Sequence, residues 1–153
     1  VENIGKGETE MLYRLATPQD AEELCRLNTL FNGPGETTIE CARECLENNP
    51  QEVVIVAQEQ DHLVGFVCLQ LKKSFCYSAV LAEIAEVFVE EAYRRRGVGR
   101  GMLEFAEAYC KQNGSVQRFE LLTGRRNAAA QKLYEACGYA MDDHLHMKKR
   151  LQI

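Results

Sequence analysis

The chain has 153 residues, 46% hydrophobic and 27% charged, with a formal net charge of −5 at pH 7. That length and balance suit one globular domain over residues 11–153, and the acidic balance excludes a general nucleic-acid role. No apolar run approaches the roughly 20 residues that a membrane-spanning helix needs.

Residues 1–10 are polar and Gly-rich, carry no hydrophobic segment of signal-peptide kind, and are expected to trail as a tail. Met11 to Ala16 is a first strand. Thr17-Pro18-Gln19-Asp20 then places an N-cap and a proline at the first helical position, opening a helix to about Leu30. After the loop Phe31-Asn32-Gly33-Pro34-Gly35, Thr37 or Thr38 caps a second helix that ends near Asn48-Asn49-Pro50. Val53 to Ala57 and Leu63 to Leu69 flank Gln60-Asp61-His62 and form a hairpin. Leu81 to Val89 is a buried strand. Val98, Met102, Phe105, Ala106 and Tyr109 then recur at helical spacing, up to a C-cap at Asn113-Gly114. Val116 to Thr123 is a further strand and Asn127 to Cys137 a helix, and a final strand or two is expected over residues 139–151. Hairpins followed by a β-α-β-α unit make the fold mixed α/β.

The seven cysteines are odd in number and form no C-x-x-C pair. That excludes a disulfide scaffold, suits a reducing cytoplasm, and leaves most of them as small buried hydrophobes. Cys41 and Cys45 stand one helical turn apart, but no histidine or second cysteine pair completes a zinc site. His62, His144 and His146 are too far apart to form a ligand set, so no metal is expected.

Arg94-Arg95-Arg96-Gly97-Val98-Gly99 joins the buried strand to the long helix. Glycines at that junction allow a tight turn and expose N–H groups at a helix N-terminus, while arginines add positive charge. This is an anion cradle. A dinucleotide fingerprint needs glycine where Met102 stands, and a Walker A loop needs a Gly-Lys-Ser/Thr that is absent.

Three features give the chain its family resemblance. Arg94 to Gly99 is similar to a Q/R-x-x-G-x-G/A pyrophosphate loop. Asn127, Ala130, Tyr134, Gly138 and Tyr139 stand as in an N-x-x-A-x-x-x-Y-x-x-x-G-F/Y helix. The element order agrees as well. In these respects the chain resembles the GNAT superfamily of acetyl-CoA-dependent N-acetyltransferases. The resemblance implies a central, mostly antiparallel twisted sheet, splayed at strands 4 and 5 and flanked by helices. Glu90-Glu91-Ala92-Tyr93 departs from the pattern, since many relatives carry a proline there.

The resemblance also implies roles. Main-chain N–H groups from Arg94 through Arg95, Arg96, Gly97, Val98 and Gly99 to Arg100 would hold the coenzyme A pyrophosphate. The main chain of Val87, Phe88 and Val89 would bond the pantetheine arm much as an added strand does. Asn127 would bond the pantetheine amides or pin its helix. An alkylammonium acceptor, with a pKa of about 10, must lose a proton before it attacks. Glu83, fourteen residues before Gly97, occupies the position of the family's strand glutamate. Glu86 is the second candidate base, on the opposite face unless a bulge intervenes, and water alone is the third possibility. Tyr134 matches the family's acid tyrosine, which would protonate the departing thiolate.

The acceptor would lie over segments 24–40, 70–80 and 140–147. Glu22, Glu23, Glu36, Glu40, Glu44, Asp142 and Asp143 make that side acidic, which points to a small polycationic amine. Similar small enzymes acetylate aminoglycosides, the chemistry of one form of antibiotic resistance. A protein N-terminus or lysine is the alternative acceptor, and a non-catalytic acetyl-CoA sensor is the alternative of another class. The chain is expected as a monomer or homodimer.

Overall fold

The computed structural model describes residues 9–114 and 116–152. The expected tail lies outside them except for Thr9 and Glu10, which carry no regular structure. The chain divides into two compact units, Val1–Leu122 and Thr123–Ile153.

In the first unit, β1 (Met11–Leu15) runs antiparallel to β2 (Glu52–Glu59), and β2 forms a hairpin with β3 (His62–Lys72). β3 is antiparallel to β4 (Val80–Val89), and β4 is parallel to β5 (Val116–Leu121), so the strands stand in sequence order. The sheet is thus mostly antiparallel with one parallel edge, the mixed α/β architecture expected. Pairing between β4 and β5 runs from Val80↔Val116 to Ile84↔Leu121, where β5 ends while β4 continues to Val89. β4 beyond Ile84 therefore has no β5 partner, which agrees with the splay at strands 4 and 5 that the resemblance implies.

Local chemistry sets the helix starts. Pro18–Asp20 forms a 3-10 turn that leads into α1 (Ala21–Asn32). Asp20 accepts from the Thr17 N–H at 2.8 Å and takes Arg14 in a two-pronged pair at 2.7 and 2.8 Å. The Arg14 guanidinium, as the largest cause, holds the Asp20 carboxyl below its usual range. Thr38 caps α2 (Ile39–Asn48) by accepting from the Cys41 N–H at 3.1 Å. α3 (Val98–Asn113) follows the Gly97 turn.

Alternation along the strands sorts the sheet into two faces. Val56, Phe66 and Phe88 are cross-strand partners on one face, where they pack with Leu27 of α1 and Leu63. Phe31 closes this cluster, 5.1 Å from the Phe88 ring centroid and 6.2 Å from that of Phe66. α3 covers the other face, and its Met102, Leu103 and Ala106 are fully buried. Its approach requires Gly65, where an added Cβ would stand 2.7 Å from the Phe88 carbonyl oxygen and 3.1 Å from Met102 Cε. Gly65→Ala should therefore destabilise the protein by about 1–3 kcal/mol, measured by denaturant unfolding. An unchanged midpoint would contradict this packing.

The second unit holds α4 (Ala128–Ala136), which ends before Gly138 at φ 91°. The strand expected over residues 139–151 is absent: residues 139–152 contain no strand. Met141, Leu145, Met147 and Leu151 are each at least 76% exposed. The apolar alternation there is only a side-chain pattern, whereas a strand requires main-chain pairing. At Asp142 a local turn takes its place, with the carboxylate accepting from the His144 N–H at 3.1 Å.

The cysteines also need correction. Cys110 is buried, Cys25, Cys68 and Cys137 are half-buried, and Cys41, Cys45 and Cys76 are exposed. Cys41 and Cys45 lie on α2, which contributes no buried residue, so their helical spacing marks no core face.

Candidate active site

β4 carries both candidate bases, and a bulge decides how they stand. Cys68 of β3 faces Glu86 and Leu69 faces Ile84, so Ala85 is an extra residue in β4. In a regular strand a spacing of three puts two side chains on opposite faces. The extra residue returns Glu83 and Glu86 to the same face, and their β3 partners, Gln70 and Cys68, stand two apart. It is the face that carries Phe66 and Phe88, against which α1 packs. Glu52, opposite Gln70, and Glu120, opposite Glu83, stand on it too. A row of four carboxylates thus crosses β2, β4 and β5.

The four are not equivalent. Glu83 is ion-paired with Lys72, and Glu120 pairs with Arg118 at 2.9 Å. Among the described residues no cation is paired with Glu86. Burial, and next the negative charge of Glu52, push the Glu86 carboxyl above its ordinary value of 4.5. The Cys68 thiol, hydrogen-bonded to Glu52, is pushed up in turn, chiefly by burial. Glu86 is therefore a carboxylate with raised basicity and a free approach.

At the far end of β4 the chain turns into α3. Arg94 Nε donates to the Val89 carbonyl at 2.8 Å, and its guanidinium lies 5.7 Å from the Phe88 ring centre, which fastens the loop to the strand. Arg95 at φ 62° and Gly97 at φ 77° both adopt the left-handed region and reverse the chain. Val98 and Gly99 are buried as the first residues of the 16-residue α3. A Cβ on Gly97 would meet nothing within 4 Å, so this turn faces open space. Arg96 lies 5.4 Å from the Tyr93 ring centre. Arg95 and Arg96 are exposed and have no carboxylate partner among the described residues, whereas Arg100 pairs with Glu104 at 2.8 Å. Helix-terminal N–H groups beside two cations that have no carboxylate partner suit an anionic group such as a pyrophosphate.

The Val87-Phe88-Val89 segment runs between these two places. Glu90 N–H donates to the Val64 carbonyl, so ladder alternation turns the polar main-chain groups of Val89 and Val87 away from β3. Arg94 meets the Val89 oxygen from that side. Beside this segment a cleft of about 550 Å³ is lined by Leu30, Phe88, Glu90, Glu91, Ala92 and Arg94. Its wall is pinned by a charged network. Arg26 of α1 donates to Glu90 at 3.0 Å and to Glu23, while His62 stands 3.0 Å from Glu90. Glu23, expected to face an acceptor, is thus engaged within the protein.

The C-terminal unit holds the second motif. Asn127 Oδ1 accepts from the Ala130 N–H at 3.1 Å and so caps α4. Tyr134 is half-buried and meets the Tyr139 ring edge-on at 6.0 Å between centroids. Arg125 and Arg126 are exposed. Asp142, Asp143 and His144 are the one group with metal-ligand spacing among the described residues; all three are exposed, and nothing else marks them as a site.

Sequence reasoning missed Glu52 and Glu120. Their signal lies in strand register, since each is unremarkable until its partner across the sheet is known.

A model of the acetyltransferase (GNAT) family matches residues 17–139. The chain belongs to this family. It is 32% identical over 97 residues to the uncharacterized N-acetyltransferase YhfO of Bacillus subtilis (strain 168), a match covering 63% of this chain and 64% of that protein. An aminoglycoside acetyltransferase, meta-AAC0020, from an uncultured soil metagenomic sample was solved in complex with sisomicin. It is similar in structure, with TM-score 0.82 at 16% identity, over 93% of this chain and 97% of that one. The aminoglycoside N-acetyltransferase AAC(6')-Iy, solved in complex with CoA, also has TM-score 0.82 at 16% identity, covering 96% of this chain and 99% of that one. No helix among the described residues is long and apolar enough to cross a membrane.

Proposed function

We propose that the chain transfers an acetyl group from acetyl-CoA to a primary amine of a small polycationic acceptor, with aminoglycosides as the type. The bulge at Ala85 carries this reading, because it gathers Glu83 and Glu86 on one face with Glu52 and Glu120. The coenzyme A and sisomicin complexes of the GNAT-like structures support the choice of both substrates.

The chemistry follows from the residues. Main-chain N–H groups from Arg95 to Arg100 hold the pyrophosphate, and the outward main chain of Val87 and Val89 bonds the pantetheine amides. Phe88 serves as their buried anchor. Glu86, directly or through a water, takes the proton from the acceptor ammonium; Glu83 is the alternative base that the family motif favours. The freed amine attacks the thioester carbon, the C–S bond breaks, and the acetyl group stays on nitrogen. The leaving thiolate, with a pKa near 8.5, takes a proton from Tyr134, a role that rests on the motif alone. Asn127 serves by capping α4. Holding both reactants in place supplies up to about 7–11 kcal/mol of the acceleration. No step uses a metal, and seven free thiols suit a reducing cytoplasm.

Tyr134→Phe should lower kcat by about a hundredfold while leaving coenzyme A affinity unchanged. Full activity in this variant would remove the acid role. A thiol-release assay with acetyl-CoA against aminoglycosides, polyamines, amino acids and short peptides tests the acceptor. Turnover on the polycations supports the proposal, and turnover on peptides alone replaces it with protein acetylation. Binding of acetyl-CoA with no turnover on any amine would make the chain a sensor.

A further inference from the structure

Glu83 already holds an alkylammonium: the side chain of Lys72 is ion-paired with it. We propose that Lys72 is a displaceable internal cation that occupies the site where one ammonium of the acceptor binds. The inference rests on the polycationic acceptor proposed above and assigns Glu83 to acceptor binding, with Glu86 left as the base.

Three observations carry it. First, Glu83 and Glu120 are direct cross-strand partners on one face, an arrangement of like charges that is unfavourable unless cations offset it. Lys72 offsets one carboxylate and Arg118 the other. Second, the Lys72 side chain is 53% exposed while that of Glu83 is 24% exposed, so the lysine can swing into solvent while the carboxylate stays in place. A second cleft, of about 420 Å³, is lined by Lys72 together with Tyr77, Leu81 and Arg118. Third, the neighbouring Lys73 is tied down differently. Its ammonium donates to the carbonyls of Tyr77, at 2.8 Å, and Ser78, and so closes the loop after β3. Of the two adjacent lysines, one is fixed to main chain and the other to a carboxylate in the acidic row.

Exposed lysine–carboxylate pairs are weak. A polyamine that spans Glu83 and Glu86 gains more than one such contact at once, and so outcompetes the single ammonium of Lys72. A monoamine gains one and does not.

The test follows the lysine rather than the reaction. Protein carrying isotope-labelled lysine gives side-chain resonances that respond to ion pairing, and Lys72→Arg identifies the Lys72 signal. Adding an aminoglycoside at concentrations that saturate turnover should move that signal to the position of a solvated lysine. Lys73 and Lys111 should stay put, and the same concentration of a monoamine should leave Lys72 in place. Lys72→Met should lower the KM for the aminoglycoside by up to about fivefold. An unmoved Lys72 signal while the aminoglycoside is being acetylated overturns the inference and leaves the proposed function standing. Failure to acetylate any amine overturns the function, and the inference with it.

Discussion

Gly97→Glu should lower coenzyme A affinity by at least about a hundredfold, measured by calorimetric titration. Two effects act together. Gly97 stands at φ 77°, where any residue with a Cβ is strained by roughly 1–2 kcal/mol. Its missing Cβ faces open space, so a carboxylate there would stand at the helix N-terminus where the pyrophosphate is proposed to bind. Like-charge contact in such a site costs several kcal/mol, and each 1.4 kcal/mol is tenfold in affinity. Gly97→Ala isolates the strain and should weaken binding far less. Unchanged affinity in Gly97→Glu, with a native circular dichroism spectrum, would remove the cradle assignment.

Glu86→Gln should lower kcat by about 10²–10⁴-fold with coenzyme A affinity unchanged. The base acts as a carboxylate, so activity must fall as pH falls through its pKa. Burial and Glu52 raise that pKa, which moves the acid limb of kcat/KM from the ordinary carboxylate range toward neutrality. Two further results are expected in the same profiles. Glu86→Gln loses the limb, whereas Glu52→Gln keeps it and shifts it to lower pH, because the second cause of the raised pKa is gone. Glu83→Gln should raise the acceptor KM more than it lowers kcat. If Glu83→Gln rather than Glu86→Gln abolished the limb, the base would be the one that the family motif favours.

The loop geometry was legible from sequence because it is local. Three arginines and two glycines between an apolar strand and an amphipathic helix specify a turn with little help from the rest of the fold. The cap of α2 was legible for the same reason, and of the two threonines expected there it is Thr38 that makes it. The pairing of Glu83 with Glu86 was not. Sequence spacing places them on opposite faces, and only the register against β3 shows that Ala85 is extra. Glu52 and Glu120 were hidden likewise, since a glutamate near a strand end has no face until its partner strand is known. The C-terminal segment misled in the other direction. Met141, Leu145 and Met147 alternate as a strand would, but alternation is a statement about side chains, and strand formation depends on main-chain partners. The cysteines of α2 misled through composition, since thiols are commonly buried and these are exposed.

The most direct test of acetyl transfer to a polycationic amine is its stoichiometry. Acetyl-CoA and an aminoglycoside are incubated with the protein, and free thiol and acetylated amine are quantified in the same samples. One N-acetylated aminoglycoside for each thiol released is the predicted result. Thiol released without acetylated amine, or no thiol from protein that binds acetyl-CoA, would contradict the account.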